Sequence, residues 1–85
     1  MASRVTYKST VATDLRRLDK PTARRILDKI ERDLAAHPDA GLPLSGSFRG
    51  LFRYRIGDYR VIYTKTPDGI LVVRISHRKN VYRLL

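Results

Sequence analysis

The sequence has no cysteine, few acidic residues and no long apolar run, and each absence excludes a class of protein. Without thiols there can be no disulfide framework, iron–sulfur cluster or cysteine-ligated zinc site. The longest aliphatic run covers only residues 70–73, far short of the roughly 20 residues that span a bilayer. Arg4 and Lys8 are followed by mixed polar residues rather than an apolar segment, so no signal peptide is predicted. We therefore expect a soluble, cytoplasmic protein with no membrane partner.

The scarcity of acidic residues leaves a strong positive charge. Eight Asp and Glu oppose 18 Lys and Arg over 85 residues, which gives a net charge of +10. Residues 1–42 hold nine basic and six acidic side chains (net +3), whereas residues 43–85 hold nine and two (net +7). Seven of the nine basic residues in the second half are arginine, which favours bidentate contacts with phosphate. The length suits a single domain, residues 1–85, and the charge predicts a polyanionic partner.

Apolar periodicity and turn residues predict an α+β fold. The predicted order is β-α-α-β-β-β, with strands at residues 3–8, 48–56, 59–65 and 70–76, a helix capped by Ser9 or Thr10, and a second helix from Pro21 to about residue 37. Gly57 and Asp58 form a tight turn, and residues 67–69 form a three-residue turn in which Gly69 takes a positive φ. The apolar last strand suits a central position in the sheet. The helical hairpin is expected to pack on one face of a small, mainly antiparallel sheet.

The tight turn brings arginine side chains together. With Gly57 and Asp58 as a two-residue turn, Arg55 lies directly opposite Arg60, and Arg53 shares their face. A three-residue second turn would add Arg74 to this face. Like charges opposite one another destabilise a hairpin and no acidic residue on these strands compensates them, so a site for an anion such as phosphate explains them better than a solvated edge. The other face collects the predicted core: Phe52, Tyr54, Ile56, Tyr59, Val61, Tyr63, Leu71, Val73 and Ile75.

The segment after the last strand adds groups for chemistry on an anion, namely His77, Arg78 and Tyr82. No metal or cofactor is predicted, because His37 is 40 positions from His77 and the two carboxylates of the basic half lie in turns. RNA cleavage fits these residues, since the 2′-OH of RNA is itself the nucleophile. Arginines would stabilise the charge that develops at phosphorus, and Tyr82 or His77 would transfer a proton.

Three stretches of the chain resemble the RelE/ParE superfamily of toxins, on the RelE side. They are Leu44-Ser45-Gly46, FRYRIGDYRVIY at residues 52–63 and ISHRKNVY at residues 75–82. The resemblance implies a toxin of a type II toxin–antitoxin system that cuts mRNA in the ribosomal A site and so inhibits translation. It further implies a metal-independent cleavage through the 2′-OH to a cyclic phosphate, and a RelB-like antitoxin as the partner.

Carried over by position, the resemblance implies catalytic roles for the hairpin residues Arg53, Arg55 and Arg60, and for Arg78 and Tyr82. Some members have lysine where this chain has Arg53 and Arg55. Because arginine does not deprotonate in proteins, the proton acceptor is left open between His77 and Tyr82. Four more basic residues are expected to bind RNA or the ribosome: Arg49, Arg74, Lys79 and Arg83.

Two other functions fit the same charge. The ParE branch shares the fold and targets DNA gyrase, but it generally lacks this catalytic set. A catalytically silent RNA-binding module would bind RNA in a salt-sensitive way and release no products. The partner prediction also has a physical basis, because a charge of +10 on a small domain favours an acidic, partly disordered antitoxin segment that orders when it binds.

Overall fold

In a computed structural model, residues 4–79 are described, and they form two helices and a five-stranded mixed sheet. The elements are β1 (Arg4–Tyr7), α1 (Ser9–Arg16), α2 (Lys20–Lys29) with a π-helical turn (Ile30–Leu34), β2 (Leu42–Pro43), a 3-10 turn (Gly46–Phe48), β3 (Phe52–Ile56), β4 (Tyr59–Thr66) and β5 (Gly69–His77). The sheet order is β1-β5-β4-β3-β2, with β1 parallel to β5 and the other pairs antiparallel. The α+β prediction is confirmed. Within residues 4–79 no helix is long and apolar enough to cross a membrane.

The helices begin for different reasons. Asp19 caps α2, because its carboxylate accepts hydrogen bonds from the Thr22 amide (3.2 Å) and the Thr22 hydroxyl (2.7 Å), and Pro21 lies in the first turn. The predicted Ser9 or Thr10 cap on α1 is wrong. Lys8 occupies that position without a side-chain bond, and the Thr10 hydroxyl donates instead to the Val73 carbonyl.

The core lies between the helices and one face of the sheet. Its buried members are Val11, Ile26, Ile30, Leu34, Ile56, Val61, Tyr63, Ile70, Val72 and Ile75. The predicted core positions Leu71 and Val73 are wrong by one residue, because Ile70 and Val72 occupy the core. The alternation predicted for β3 and β4 is confirmed, with Phe52, Tyr54 and Tyr59 packed against the same cluster.

The error in β5 comes from its turn and a bulge. Thr66 pairs with Gly69, so the turn contains two residues rather than three, and Gly69 does not have a positive φ. A glycine is needed there because an added Cβ would overlap the Arg4 carbonyl oxygen of β1. Tyr63 pairs with Val72 but Ile62 pairs with Arg74, so Val73 is an extra residue that reverses the phase of the strand.

The first half of the arginine-rich hairpin is also shorter than predicted. Residues 46–48 form a 3-10 turn, and β3 begins only at Phe52. The two-residue strand β2, which pairs Leu42 with Arg53, was not predicted. Pro43 limits this strand because proline cannot donate to a neighbouring strand.

Helix α1 completes the edge of β5 where β1 ends. Strand β1 pairs only with residues 69–72, which leaves the next groups of β5 without a strand partner. The Thr10 hydroxyl donates to the Val73 carbonyl (2.9 Å), and the Asp14 carboxylate accepts from the Ile75 amide (2.9 Å). Thr10 and Asp14 are four residues apart on the helix, a rise of about 6 Å. Val73 and Ile75 are two residues apart on the strand, a rise of about 6.7 Å. The two spacings are similar, so both side chains can reach the strand edge at once.

The buried Tyr63 hydroxyl holds the loop before β2. It donates to the Pro38 carbonyl (2.6 Å) and accepts from the Gly41 amide (3.0 Å). Burial raises the pKa of this phenol, so it stays protonated and able to donate. The ring passes so close to Gly41 that any side chain there would overlap it.

We expect Tyr63→Phe to lower the free energy of unfolding by about 1–3 kcal/mol, because it leaves the Gly41 amide without its buried acceptor. Urea titration followed by circular dichroism measures this loss. Tyr54→Phe, a hydroxyl deletion on the neighbouring strand, is the matched control and should change the value by less than about 0.5 kcal/mol. Equal losses in the two variants would contradict the role given to the Tyr63 hydroxyl.

Candidate nucleic-acid interface

The face of the sheet opposite the helices carries the predicted arginines in two cross-strand rows. Directly paired residues share a face, so the register defines the rows. The rows are Arg55, Arg60 and Ser76 on β3, β4 and β5, and Leu42, Arg53, Ile62 and Arg74 on β2, β3, β4 and β5. The prediction that Arg53, Arg55 and Arg60 lie together is therefore confirmed by the register. We call the surface formed by these three residues and Arg78 the arginine face.

The neighbouring arginines repel the charge of Arg60. The pKa of the Arg60 guanidinium is lowered, first by its partial burial and then by repulsion from Arg55, Arg53 and Arg78. Asp58, in the turn, acts in the opposite direction. An arginine with a lowered pKa still carries its charge at neutral pH. The arginine face is thus a concentrated positive site that an anion would stabilise.

Hydrogen bonds to backbone carbonyls of the turn hold the arginine face at the tip of the β3–β4 hairpin. Gly57 takes a φ of 59°, a left-handed conformation that glycine adopts without strain. The Arg55 Nε donates to the Gly57 carbonyl (3.2 Å), and the Arg78 amide donates to the Asp58 carbonyl (2.8 Å). The second bond brings the residue after β5 beside the turn between β3 and β4. Arg78 therefore joins the hairpin arginines although it is 18 positions beyond Arg60.

Arg74 lies on the same face by register, but its guanidinium is engaged elsewhere. Its Nη2 is 2.8 Å from the Asp14 Oδ1, in an ion pair whose side chains are 17% and 2% exposed. In the part of the chain that the structure describes, the Arg74 Nε is the buried side-chain polar atom without a hydrogen-bond partner. The predicted RNA contact of Arg74 therefore competes with a buried carboxylate. The arrival of Arg74 on this face depends on the bulge at Val73, not on the three-residue turn predicted from sequence.

His77 lies on the other side of the sheet. It pairs with Tyr59, whose ring meets the imidazole edge-on at a centroid distance of 5.6 Å, on the face that the helices cover. Its Nδ1 accepts a hydrogen bond from the Lys79 amide (3.3 Å). The structure therefore separates His77 from the arginine face, although Ser76 and Arg78 on either side of it lie near Arg60.

The remaining predicted residues are distributed around this site. Arg49 follows the 3-10 turn and is exposed, as is Lys79 after β5. Tyr82 and Arg83 lie outside the described residues. Leu42, which is 59% exposed directly beside Arg53, was not predicted as a site residue. The signal for Leu42 was the short apolar stretch around Pro43 in a segment otherwise interpreted as a break between elements.

Comparisons with known proteins identify the family of the chain. Residues 5–82 match the family described as "ParE toxin of type II toxin-antitoxin system, parDE". The chain is 33% identical over 84 residues to Toxin RelE of Mycobacterium tuberculosis (strain ATCC 25618 / H37Rv), which covers 94% of this chain and 86% of that protein.

Solved structures share the fold, among them two RelE–RelB complexes. One is the toxin–antitoxin complex RelBE2 from Mycobacterium tuberculosis, with a TM-score of 0.86 and 26% identity over 92% of this chain and 100% of that one. The other is the archaeal RelE–RelB complex from Pyrococcus horikoshii OT3, with a TM-score of 0.65 and 32% identity over 92% and 97% of the two chains. These relatives are RelE proteins and do not favour the ParE alternative. The chain therefore belongs to the RelE/ParE superfamily and is a RelE-type toxin of a toxin–antitoxin system.

Proposed function

We propose that this protein is a ribosome-dependent endoribonuclease that cuts mRNA in the ribosomal A site and so inhibits translation. The observation that carries the proposal is the grouping of Arg53, Arg55 and Arg78 around Arg60. Such a group suits a phosphodiester better than a neutral or cationic ligand. Membership of the RelE side of the superfamily supports mRNA as the substrate. The site of action would be the cytoplasm, where translating ribosomes are found.

The reaction would use the nucleophile that RNA supplies. The 2′-oxygen attacks the adjacent phosphorus, a new O–P bond forms, and the bond from phosphorus to the 5′-oxygen breaks, leaving a 2′,3′-cyclic phosphate and a 5′-hydroxyl. The proton of the 2′-OH leaves and the 5′-oxygen gains one. The arginine face would stabilise the negative charge that builds on the phosphorane oxygens, the type of interaction with the largest effect in many enzymes. No step of this scheme requires a metal ion.

Proton transfer would fall to Tyr82. Arginines do not act as bases, and the imidazole of His77 faces the helices with Tyr59. Guanidinium groups close to a phenol in the bound complex would favour its ionised form, as proton transfer requires. Tyr82 lies outside the described residues, and its assignment follows from the family resemblance of residues 75–82.

Purified translating ribosomes that hold one defined codon in the A site provide the test. We expect a single cut within that codon, with a 2′,3′-cyclic phosphate on the upstream product. The same mRNA with a 2′-deoxy sugar at the cut position should stay whole, because its nucleophile is missing. Equal cleavage of the deoxy substrate would contradict attack by the 2′-OH.

Free mRNA and DNA gyrase complete this experiment. Ribosome-free mRNA should not be cut at a comparable rate, and gyrase should supercoil DNA normally in the presence of the protein. Intact mRNA on ribosomes together with blocked supercoiling would assign the chain to the gyrase-targeting function instead. Salt-sensitive RNA binding without products would indicate a silent binding module.

A RelB-type antitoxin is the proposed protein partner. The RelBE2 complex of Mycobacterium tuberculosis and the RelE–RelB complex of Pyrococcus horikoshii OT3 are both toxin–antitoxin assemblies. A net charge of +10 favours an acidic segment that wraps the toxin and orders on binding. Such a segment would neutralise the arginine face and so compete with RNA.

A further inference from the structure

The row that contains Arg53 begins with an exposed apolar residue. Leu42 of β2 pairs with Arg53 on the same face, and among residues 4–79 it is the large apolar side chain that stays exposed, at 59%. The strand that carries it has only two residues and is the edge strand of the sheet, so no further strand lies beyond it. An exposed leucine beside a phosphate site needs an explanation, because elsewhere in the described chain the large apolar side chains are covered.

Leu42 and Arg53 join two grooves. One groove, of about 360 Å³, is lined by Ala40, Leu42, Arg53, Tyr54, Arg55 and Arg60. The other, of about 450 Å³, is lined by Leu42, Pro43, Leu44, Ser45, Phe48 and Arg53. Both lie in the size range of small-ligand sites. The two grooves share Leu42 and Arg53 in their linings, so the apolar groove adjoins the groove of the arginines at these two side chains.

The apolar end is built by a short folded segment rather than by a free loop. The Leu44 amide donates to the Leu51 carbonyl (2.9 Å), which closes the segment at its base. The Phe48 amide donates to the Ser45 carbonyl (3.2 Å) and forms the 3-10 turn between them. The Thr64 hydroxyl of β4 holds this segment at the Gly50 carbonyl (2.9 Å). The groove walls are thus fixed to the same sheet as the arginines.

The spacing along β3 matches a nucleic-acid strand. Two residues of a strand rise about 6.7 Å, which separates Arg53 from Arg55 by a distance comparable with one phosphate-to-phosphate step of an extended single strand. With one phosphate at Arg55 and Arg60, the next would lie at Arg53. The base attached at that step would then face Leu42 and the apolar groove. Unpaired bases bind proteins in this way, with the ring against apolar or aromatic side chains and the phosphate on a basic residue.

We propose that the groove of Leu42, Leu44, Ser45 and Phe48 is a subsite for one unpaired nucleobase of RNA, adjacent to the phosphate bound by the arginine face. Leu42 and Phe48 pack against the ring, and the Ser45 hydroxyl contacts its polar edge. Ser45 precedes the 3-10 turn in an extended conformation, and its side chain does not cap that turn. This subsite rests on the RNA substrate of the proposed function, and it makes the segment between β2 and β3 a determinant of sequence preference.

Codon preference on ribosomes tests the subsite with a matched pair of variants. Ser45→Ala removes the hydroxyl that lines the groove, whereas Ser47→Ala removes one on the same turn that lies outside the lining. We expect Ser45→Ala to reduce the ratio of cleavage between the best and worst codons about tenfold, because a lost contact to a polar base edge removes discrimination. Leu42→Ala should weaken cleavage of every codon through KM, with kcat unchanged. Ser47→Ala should leave the ratio of cleavage between the best and worst codons at its wild-type value.

A binding experiment keeps this proposal separate from the proposed function. The full chain, labelled with ¹⁵N, is titrated with a 2′-O-methyl trinucleotide, which cannot be cleaved, and with the same molecule lacking one base. We expect amide shifts at residue 42 and residues 44–48 with the intact probe only, and shifts at residues 53–60 with both. This result is expected even if the ribosome assay fails, so failure of cleavage and failure of the subsite can be told apart.

Three results would overturn the subsite. The first is an unchanged ratio of cleavage between the best and worst codons for Ser45→Ala, on ribosomes that the wild-type protein cuts. The second is the absence of shifts at residue 42 and residues 44–48 with the intact probe, or identical shifts with the abasic one. The third is loss of RelB-type antitoxin binding in Leu42→Ala with cleavage and RNA shifts unchanged, which would make the groove a protein interface.

Discussion

The Arg60→Ala variant is expected to lose about 10²–10³-fold in cleavage rate on ribosomes, the loss typical of removing one preorganised charge from a transition-state site. We expect this large effect because Arg60 lies at the centre of the arginine face, within the electrostatic range of Arg53, Arg55 and Arg78. Single-turnover cleavage of a defined A-site codon measures the rate without a contribution from product release. The effect should be larger on kcat than on KM, because the phosphodiester carries one negative charge when it binds and gains further charge only in the transition state.

The same substitution should leave the fold intact or slightly more stable. Arg55 and Arg60 oppose each other across the hairpin, and like charges in such a pair are unfavourable by about 0.2–1 kcal/mol. Arg32→Ala, which removes the same charge from the outer surface of the helical layer, is the control and should cleave at the wild-type rate. A normal rate for Arg60→Ala, or an equal loss in Arg32→Ala, would show that total charge rather than this site governs the reaction.

Asp14→Ala should lower the free energy of unfolding by about 3–5 kcal/mol, because it leaves a buried arginine without its counter-charge. The carboxylate accepts from both the Arg74 guanidinium and the Ile75 amide, at 2.8 and 2.9 Å, and it is 2% exposed. Since small domains have a total stability of about 5–15 kcal/mol, this loss would unfold a substantial fraction of the protein near physiological temperature. Urea unfolding followed by circular dichroism measures it.

Two further variants separate the causes of that loss. In Asp14→Ala/Arg74→Met the orphaned charge is removed as well, so part of the stability should return. Asp28→Ala deletes an exposed carboxylate of α2 and should change stability by less than about 0.5 kcal/mol. If Asp14→Ala were as stable as Asp28→Ala, the ion pair and the strand contact would contribute nothing to the fold.

Local patterns predicted most of the fold. The alternation of Phe52, Tyr54 and Ile56 with Arg53 and Arg55 determined the faces of β3, since both the turn and the period of two are local properties. Which residues of β5 face the core could not be predicted in this way. Its residues 70–73 are all apolar, so periodicity does not distinguish the two faces, and the bulge that decides the matter depends on tertiary pairing.

The candidate site was predicted where it depends on the hairpin and missed where it depends on distant pairing. Arg53, Arg55 and Arg60 followed from a single turn. The opposite placement of His77 required the register between β4 and β5, and the groove beside Leu42 required a two-residue strand too short to show a period. Asp14 appeared in the sequence as one acidic residue on a helix. It contacts Arg74 and Ile75, which are 60 and 61 positions further along the chain, so no local pattern could indicate these contacts.

The edge that α1 completes has a consequence for the order of folding. Strands β3, β4 and β5 follow one another through two-residue turns and close small loops, whereas Thr10 and Asp14 meet β5 across more than 60 residues. Loop-closure entropy makes the distant contacts the slow ones. We therefore expect the arginine-bearing meander to form ahead of the N-terminal half. Until the helix docks, the open side of β5 is a template on which two partly folded chains could pair, so the docking of α1 also protects the protein against self-association.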